Sequence, residues 1–129
     1  MTVTIGTDNM PGSAYLWGLN SHHQVGAGNK ESAELKQLLP LRVRGVTNIS
    51  DISCGGYFTL ILTGDGRLLS FGKGQYGRLG RGDEEDQSHP GEVGIESKVV
   101  QISGGAWHSA AVTDAGAVYI WGHGRVMGQ

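Results

Sequence analysis

From residue 57 to residue 63, Phe58, Leu60 and Leu62 alternate with Tyr57, Thr59 and Ile61, which is the two-residue period of a β-strand. Gly64-Asp65-Gly66 then reverses the chain and residues 67–72 return, so the stretch predicts a β-hairpin whose glycines supply the positive φ of a tight turn. The pattern recurs fifty residues later: residues 108–113 form the outgoing strand, Asp114-Ala115-Gly116 the turn, and residues 117–122 the return. Residues 52–72 and 102–122 align without a gap, with Ile52/Ile102, Ser53/Ser103, Gly55/Gly105, Thr63/Thr113, Gly66/Gly116 and Gly72/Gly122 identical. Tyr57/Trp107, Leu62/Val112 and Phe71/Trp121 keep size and polarity, and a third partial copy sets Leu16-Trp17-Gly18 on Ser70-Phe71-Gly72. A shared register repeated at this period defines a repeat protein.

Upstream of each hairpin lie two further extended stretches, residues 39–43 and 48–54 in one copy and residues 89–93 and 98–103 in the next. Four short antiparallel strands per period make one blade of a β-propeller. The fold class is therefore all-β: two full blades plus partial ones in an incomplete ring, with repeats at about 1–28, 29–82 and 83–129. The chain is expected to begin in the last strand of a blade. A two-turn helical excursion is expected over residues 31–38, where Ala33, Leu35, Leu38 and Leu39 give a brief apolar face.

Composition sharpens this picture. The 23 glycines among 129 residues are well above the usual share of about 7%, and helix interiors tolerate glycine poorly. A formal charge of −2 supplies no electrostatic footprint for nucleic acid or an anionic membrane. The single Cys54 has no internal disulfide partner and reads as a small buried hydrophobe in a reducing compartment. The first residues lack a basic and an apolar leader region, so the expected setting is intracellular, cytoplasmic or nuclear.

In register, these motifs resemble the regulator of chromosome condensation repeat family. Its pattern runs roughly Cys-Gly-x-x-His-Thr-x-Ala-Leu-Thr-x-x-Gly-x-Val-Tyr-x-Trp-Gly-x-Asn-x-x-Gly-Gln-Leu-Gly. The first copy offers Trp17, Gly18, Asn20, Gln24, Val25 and Gly26, and the second Cys54, Gly55, Thr59, Gly66, Phe71, Gly72, Gly77, Leu79 and Gly80, with Phe58 in place of histidine and Arg78 in place of glutamine. In the third, Gly105, His108, Ser109, Thr113, Gly116, Val118, Tyr119, Trp121 and Gly122 fit closely. The resemblance implies a seven-bladed propeller, which at this period needs about 350 residues to close. It also implies, for the founding member, guanine-nucleotide exchange on a Ran-type small GTPase. A plant ultraviolet-B photoreceptor of the family uses a Gly-Trp-Arg-His-Thr motif, but Gly105-Ala106-Trp107-His108-Ser109 lacks its arginine, so light sensing is not expected.

Most of the repeated positions have a structural reading. Trp17, Phe71 and Trp121 are expected to pack between blades while Gly18, Gly72 and Gly122 let the chain bend away, Gly55 and Gly105 mark turns, and His108 is expected to bond a backbone carbonyl. Residues 72–77 spell Gly-x-Gly-x-x-Gly, but the glycine-spaced residues 78–82 cannot start the helix a phosphate cradle needs. Asp83-Glu84-Glu85-Asp86 lacks the alternating ligands and central glycine of a calcium loop and reads as a solvated loop. The histidines and Cys54 show no metal-ligand spacing, and no nucleophile elbow is present. No catalytic, cofactor or metal residues are assigned. The expected function is a non-catalytic protein-interaction module, held through loops 21–37 and 73–92. Arg78, Arg81, Asp83, Glu84, Glu85 and Asp86 are the partner-binding residues, and a homo-oligomer through open blade edges is expected.

Overall fold

The computed structural model describes residues 2–6, 13–19, 36–43 and 45–123. Ten strands lie among the described residues: β1 (Thr2–Gly6), β2 (Ser13–Leu19), β3 (Lys36–Arg42), β4 (Ile49–Cys54), β5 (Phe58–Thr63), β6 (Leu68–Gly72), β7 (Gln87–Glu92), β8 (Val99–Gly104), β9 (His108–Thr113) and β10 (Val118–Gly122). Every pairing is antiparallel, and the three sheets run β1-β2-β3, β4-β5-β6-β7 and β10-β9-β8. These are successive blades of a β-propeller in an incomplete ring, an all-β architecture. The helical content of the described residues is a single 3-10 turn, Gln75–Gly77.

Strand grouping departs from the expectation in one systematic way. The extended stretches at 39–43 and 89–93, expected to open the next blade, instead close the preceding one: β3 pairs with β2, and β7 with β6. Each return strand has a free outer edge whose backbone groups need partners, and the next extended segment reaches it first. The described strands therefore distribute as three, four and three, and the first sheet begins with a hairpin rather than with the last strand of a blade. The expected helix over 31–38 is also corrected in part. Residues 36–38 belong to β3, and residues 31–35 lie outside the described residues.

Period-two alternation in the central sheet feeds two cores. Ile61, Leu69 and Phe71 turn toward the first sheet and pack with Ala14, Leu16, Val43, Val46 and Ile49, with Cys54 against the cluster. Phe58, Leu60, Leu62 and Leu68 turn the other way and pack with Leu79, Val93, Val99, Ile102 and Ala111, with Trp121 against them. β5 and β6 are buried along their whole length, as a sheet sandwiched on both faces must be. The outer face of the third sheet carries the equivalent positions uncovered: Val118 is 63% and Ile120 56% exposed, where Leu68 and Ser70 are buried. Burial pushes the Cys54 thiol above its ordinary value, in keeping with a packed hydrophobe.

The repeated Thr-x-x-Gly is a turn lock. Thr63 and Thr113 each hold the main chain four residues on through N–H to the carbonyls of Arg67 and Ala117, at 3.0 and 2.9 Å. Their hydroxyls accept the returning amides of Arg67 and Ala117 at 3.0 and 3.2 Å. The Thr63 hydroxyl also donates to Asp65, which lowers that carboxyl's pKa.

Candidate functional site

The turns 54–57 and 104–107, the loop 72–77 and the end of β10 meet at one end of the blades. The Gly56 N–H donates to the Gly105 carbonyl at 3.0 Å and the Gly104 N–H to the Ser53 hydroxyl at 2.9 Å, which joins the two turns across the blade boundary. The Lys73 N–H returns to the Tyr57 carbonyl at 2.8 Å and the His123 N–H to the Trp107 carbonyl at 2.8 Å, fixing each turn to the end of its own return strand. On this frame stand Tyr57, Tyr76 and Trp107, 42%, 42% and 47% exposed. Tyr76 and His123 meet edge-on at 4.3 Å, the rings of Trp107 and His123 lie 5.9 Å apart, and the Lys73 ammonium sits 5.3 Å above the Tyr57 ring. Tyr57 and Tyr76 hold φ of 63° and 66°, a left-handed conformation that costs a bulky residue about 1–3 kcal/mol. Exposed aromatic rings are thus held on strained, cross-braced turns at this end of the blades.

The expected partner-binding residues are not all on that surface. Arg78 is buried, with 1% of its surface exposed, which corrects its expected place on an exposed loop. Its Nη1 donates to the carbonyls of Gly56 at 2.7 Å and Ala106 at 3.3 Å, and its Nε to Gln75 at 2.9 Å. Its own carbonyl accepts the Ser109 hydroxyl at 2.9 Å and the Trp121 indole N–H at 3.0 Å. A guanidinium has donors enough to serve several carbonyls at once, which draws this side chain inward where the family pattern has a shorter glutamine. Burial lowers its pKa, opposed by Tyr76 and Asp86. Arg81 also turns in, half-buried, and donates to the Ser70 carbonyl at 2.9 Å.

Asp83, Glu84, Glu85 and Asp86 are exposed, but three of the carboxylates shape the loop. The Gly74 N–H donates to Asp86 at 2.9 Å, the Tyr76 N–H to Glu84 at 2.8 Å, and the Glu85 N–H to Asp83 at 3.0 Å. Acidic groups therefore occupy the amides a phosphate cradle would offer. His108 is corrected as well. Its ring lies over Gly105, where an added Cβ would come within 2.6 Å, and its buried Nδ1 has no hydrogen-bond partner among the described residues. The ring occupies the place of Phe58 in the previous blade, an apolar setting. Phe71 is fully buried in the core shared with the first sheet and Trp121 packs partly buried against the core shared with the third, while the side chain of Trp17 lies outside the described residues. Loop residues 21–35 also lie outside the described residues.

Sequence reasoning missed Tyr57, Lys73, Tyr76, Trp107 and His123 as a group. One signal was available: Tyr57 and Trp107 share a repeat position inside a turn, where a large aromatic ring has no core to fill.

Blade order, repeat register and inter-blade contacts define a β-propeller segment of repeat type. The chain belongs to the regulator of chromosome condensation (RCC1) repeat family, matching it at residues 11–62 and 65–112, and again at residues 49–78 and 99–129. It is 36% identical over 116 residues to the RCC1 domain-containing protein RUG3, mitochondrial, of Arabidopsis thaliana, a match covering 88% of this chain and 26% of that protein. It is 36% identical over 135 residues to the ultraviolet-B receptor UVR8 of the same plant, covering 97% of this chain and 30% of the receptor. Among solved structures, yeast RCC1 (Prp20), determined bound to Kap60, superimposes with a TM-score of 0.80 at 26% identity, over 93% of this chain and 29% of that one. The chain thus spans less than a third of the length of these relatives. No helix among the described residues is long and apolar enough to cross a membrane.

Proposed function

We propose that this chain is a non-catalytic protein-interaction segment of a β-propeller, which holds a protein partner on the face formed by Tyr57, Tyr76, Trp107 and His123. The observation that carries the reading is the pair of exposed tyrosines kept at positive φ beside an exposed tryptophan. Rigid aromatic rings bury much area on binding at little conformational cost. Of the residues expected from sequence, Asp83, Glu84, Glu85 and Asp86 border this face and Arg78 supports it from within, while Arg81 bonds the Ser70 carbonyl instead. The setting proposed is intracellular, cytoplasmic or nuclear.

The test replaces Trp107 with alanine and Tyr57 with glycine, a residue that accepts φ of 63° without strain. Cross-linking through Lys73 is expected to lose its partner by about tenfold in the double variant while the thermal midpoint holds. Unchanged recovery would remove the face from the account. The second reading, exchange on a Ran-type GTPase, is supported by the likeness to yeast RCC1 at 26% identity. Accelerated release of a fluorescent guanine nucleotide from such a GTPase would favour it over passive docking.

Self-association accompanies the proposal, through the uncovered Val118 and Ile120 of the third sheet. Light scattering at several concentrations is expected to show mass rising with concentration, and Ile120→Asp to return it to the monomer value. A concentration-independent monomer mass would refute this.

A further inference from the structure

Beside the aromatic face, a groove of about 840 Å³ opens between the β6–β7 connection and the end of β10. Tyr76, Trp121 and His123 supply rings to its wall, Asp83 and Glu84 supply carboxylates, and the glycines between them add no side chain that would fill it. We propose that this groove is the seat of an arginine side chain carried by an exposed basic segment of the protein partner. The inference deepens the interaction reading above and rests on it.

Three observations lead there. Among the described residues no lysine or arginine lines the groove: Lys73 lies over Tyr57, Arg78 is engaged by the carbonyls of Gly56 and Ala106 with its guanidinium 5.8 Å from the centre of the Tyr76 ring, and Arg81 by the carbonyl of Ser70. With Arg78 already over the Tyr76 ring, the groove pairs the rings of Trp121 and His123 with negative charge, the two features a delocalised cation recognises together. The two carboxylates have remaining capacity. Glu84 takes the Tyr76 N–H and Asp83 the Glu85 N–H, while an ionised carboxylate offers about four lone-pair sites. The walls are also preorganised, since the Trp121 indole is pinned by its bond to the Arg78 carbonyl at 3.0 Å and the Tyr76 ring meets His123 edge-on at 4.3 Å. A planar guanidinium can stack on a ring and meet a carboxylate side-on, whereas an ammonium satisfies only the charge, so the geometry favours arginine over lysine.

The experiment uses the whole 129-residue chain and fluorescein-labelled nonapeptides of glycine and serine carrying two arginines, two lysines or two citrullines. Fluorescence anisotropy is expected to show the arginine peptide binding about tenfold tighter than the citrulline peptide and tighter than the lysine peptide. Asp83→Asn with Glu84→Gln keeps oxygen acceptors for the loop amides and removes the charge, and is expected to abolish the arginine preference. Glu85→Gln, one residue further on, is expected to leave it intact. Equal binding of arginine and citrulline peptides overturns the proposal, as does an arginine preference that survives in the double variant. Tighter peptide binding in Arg125→Gln would assign the groove to the chain's own arginine and overturn it as well. If partners still cross-link to the aromatic face while the peptides show no preference, the partner chemistry falls and the interaction reading stands. If cross-linking is lost too, both fall.

Discussion

Arg78→Ala is expected to lower the unfolding free energy by about 3 kcal/mol, because hydrogen bonds from charged groups contribute about 1.5–3 kcal/mol and their buried acceptors would be left without a donor. The acceptors stand on three separate segments: Gly56 and Ala106 on the turns of adjacent blades, and Gln75 on the loop that leads to Arg78. Alanine leaves the residue's own carbonyl available to Ser109 and Trp121, so what is lost is the guanidinium and the volume it fills. Arg78→Gln, the residue the family pattern places here, is expected to recover part of the loss, since an amide still donates but reaches fewer carbonyls. Urea denaturation measures the change, and hydrogen exchange locates it. The Gly56 amide, bonded to Gly105 across the blade boundary, should lose protection before the amides inside β5 and β6. A loss below about 1 kcal/mol would show that water replaces the guanidinium at these carbonyls without penalty.

The repeat made the sheets legible because alternation and turn chemistry are local. Phe58, Leu60 and Leu62 declare a buried strand through their spacing, and Thr63 and Gly66 declare the turn that ends it. Assignment of strands to blades was less accessible. Residues 89–93 read as an extended stretch in isolation, but which neighbour the strand at Gln87–Glu92 pairs with is decided by the free edge of β6, a tertiary fact. Arg78 failed for a related reason. A charged residue between glycines has the composition of an exposed loop, and only the carbonyls converging from two other turns make burial favourable. The aromatic face was hidden by the repeat itself. Tyr57 and Trp107 occupy a repeated position, and a repeated position invites a scaffold reading although these two rings point to solvent.

Gly72→Ala is expected to be the more damaging of two equivalent substitutions, costing about 3–5 kcal/mol, with Gly122→Ala costing less. Both glycines end a return strand at positive φ, 114° and 122°, where an L side chain costs about 1–3 kcal/mol. Both would also place a Cβ against main chain, 2.6 Å from the Tyr57 carbonyl oxygen for Gly72 and 2.4 Å from that of Trp107 for Gly122. Those oxygens accept the amides of Lys73 and His123, so relief of the overlap pulls apart the bond that fastens each turn to its strand. What differs is the freedom to yield. Gly72 ends β6, which is buried along its length and paired on both sides by β5 and β7, whereas β10 is paired by β9 alone among the described strands and carries an exposed face. Denaturant midpoints of the two variants test the ranking, and the indole and tyrosine fluorescence of the turns reports the local displacement. Equal losses at the two positions would show that the turn clamp, and not the packing of the sheet behind it, sets the cost.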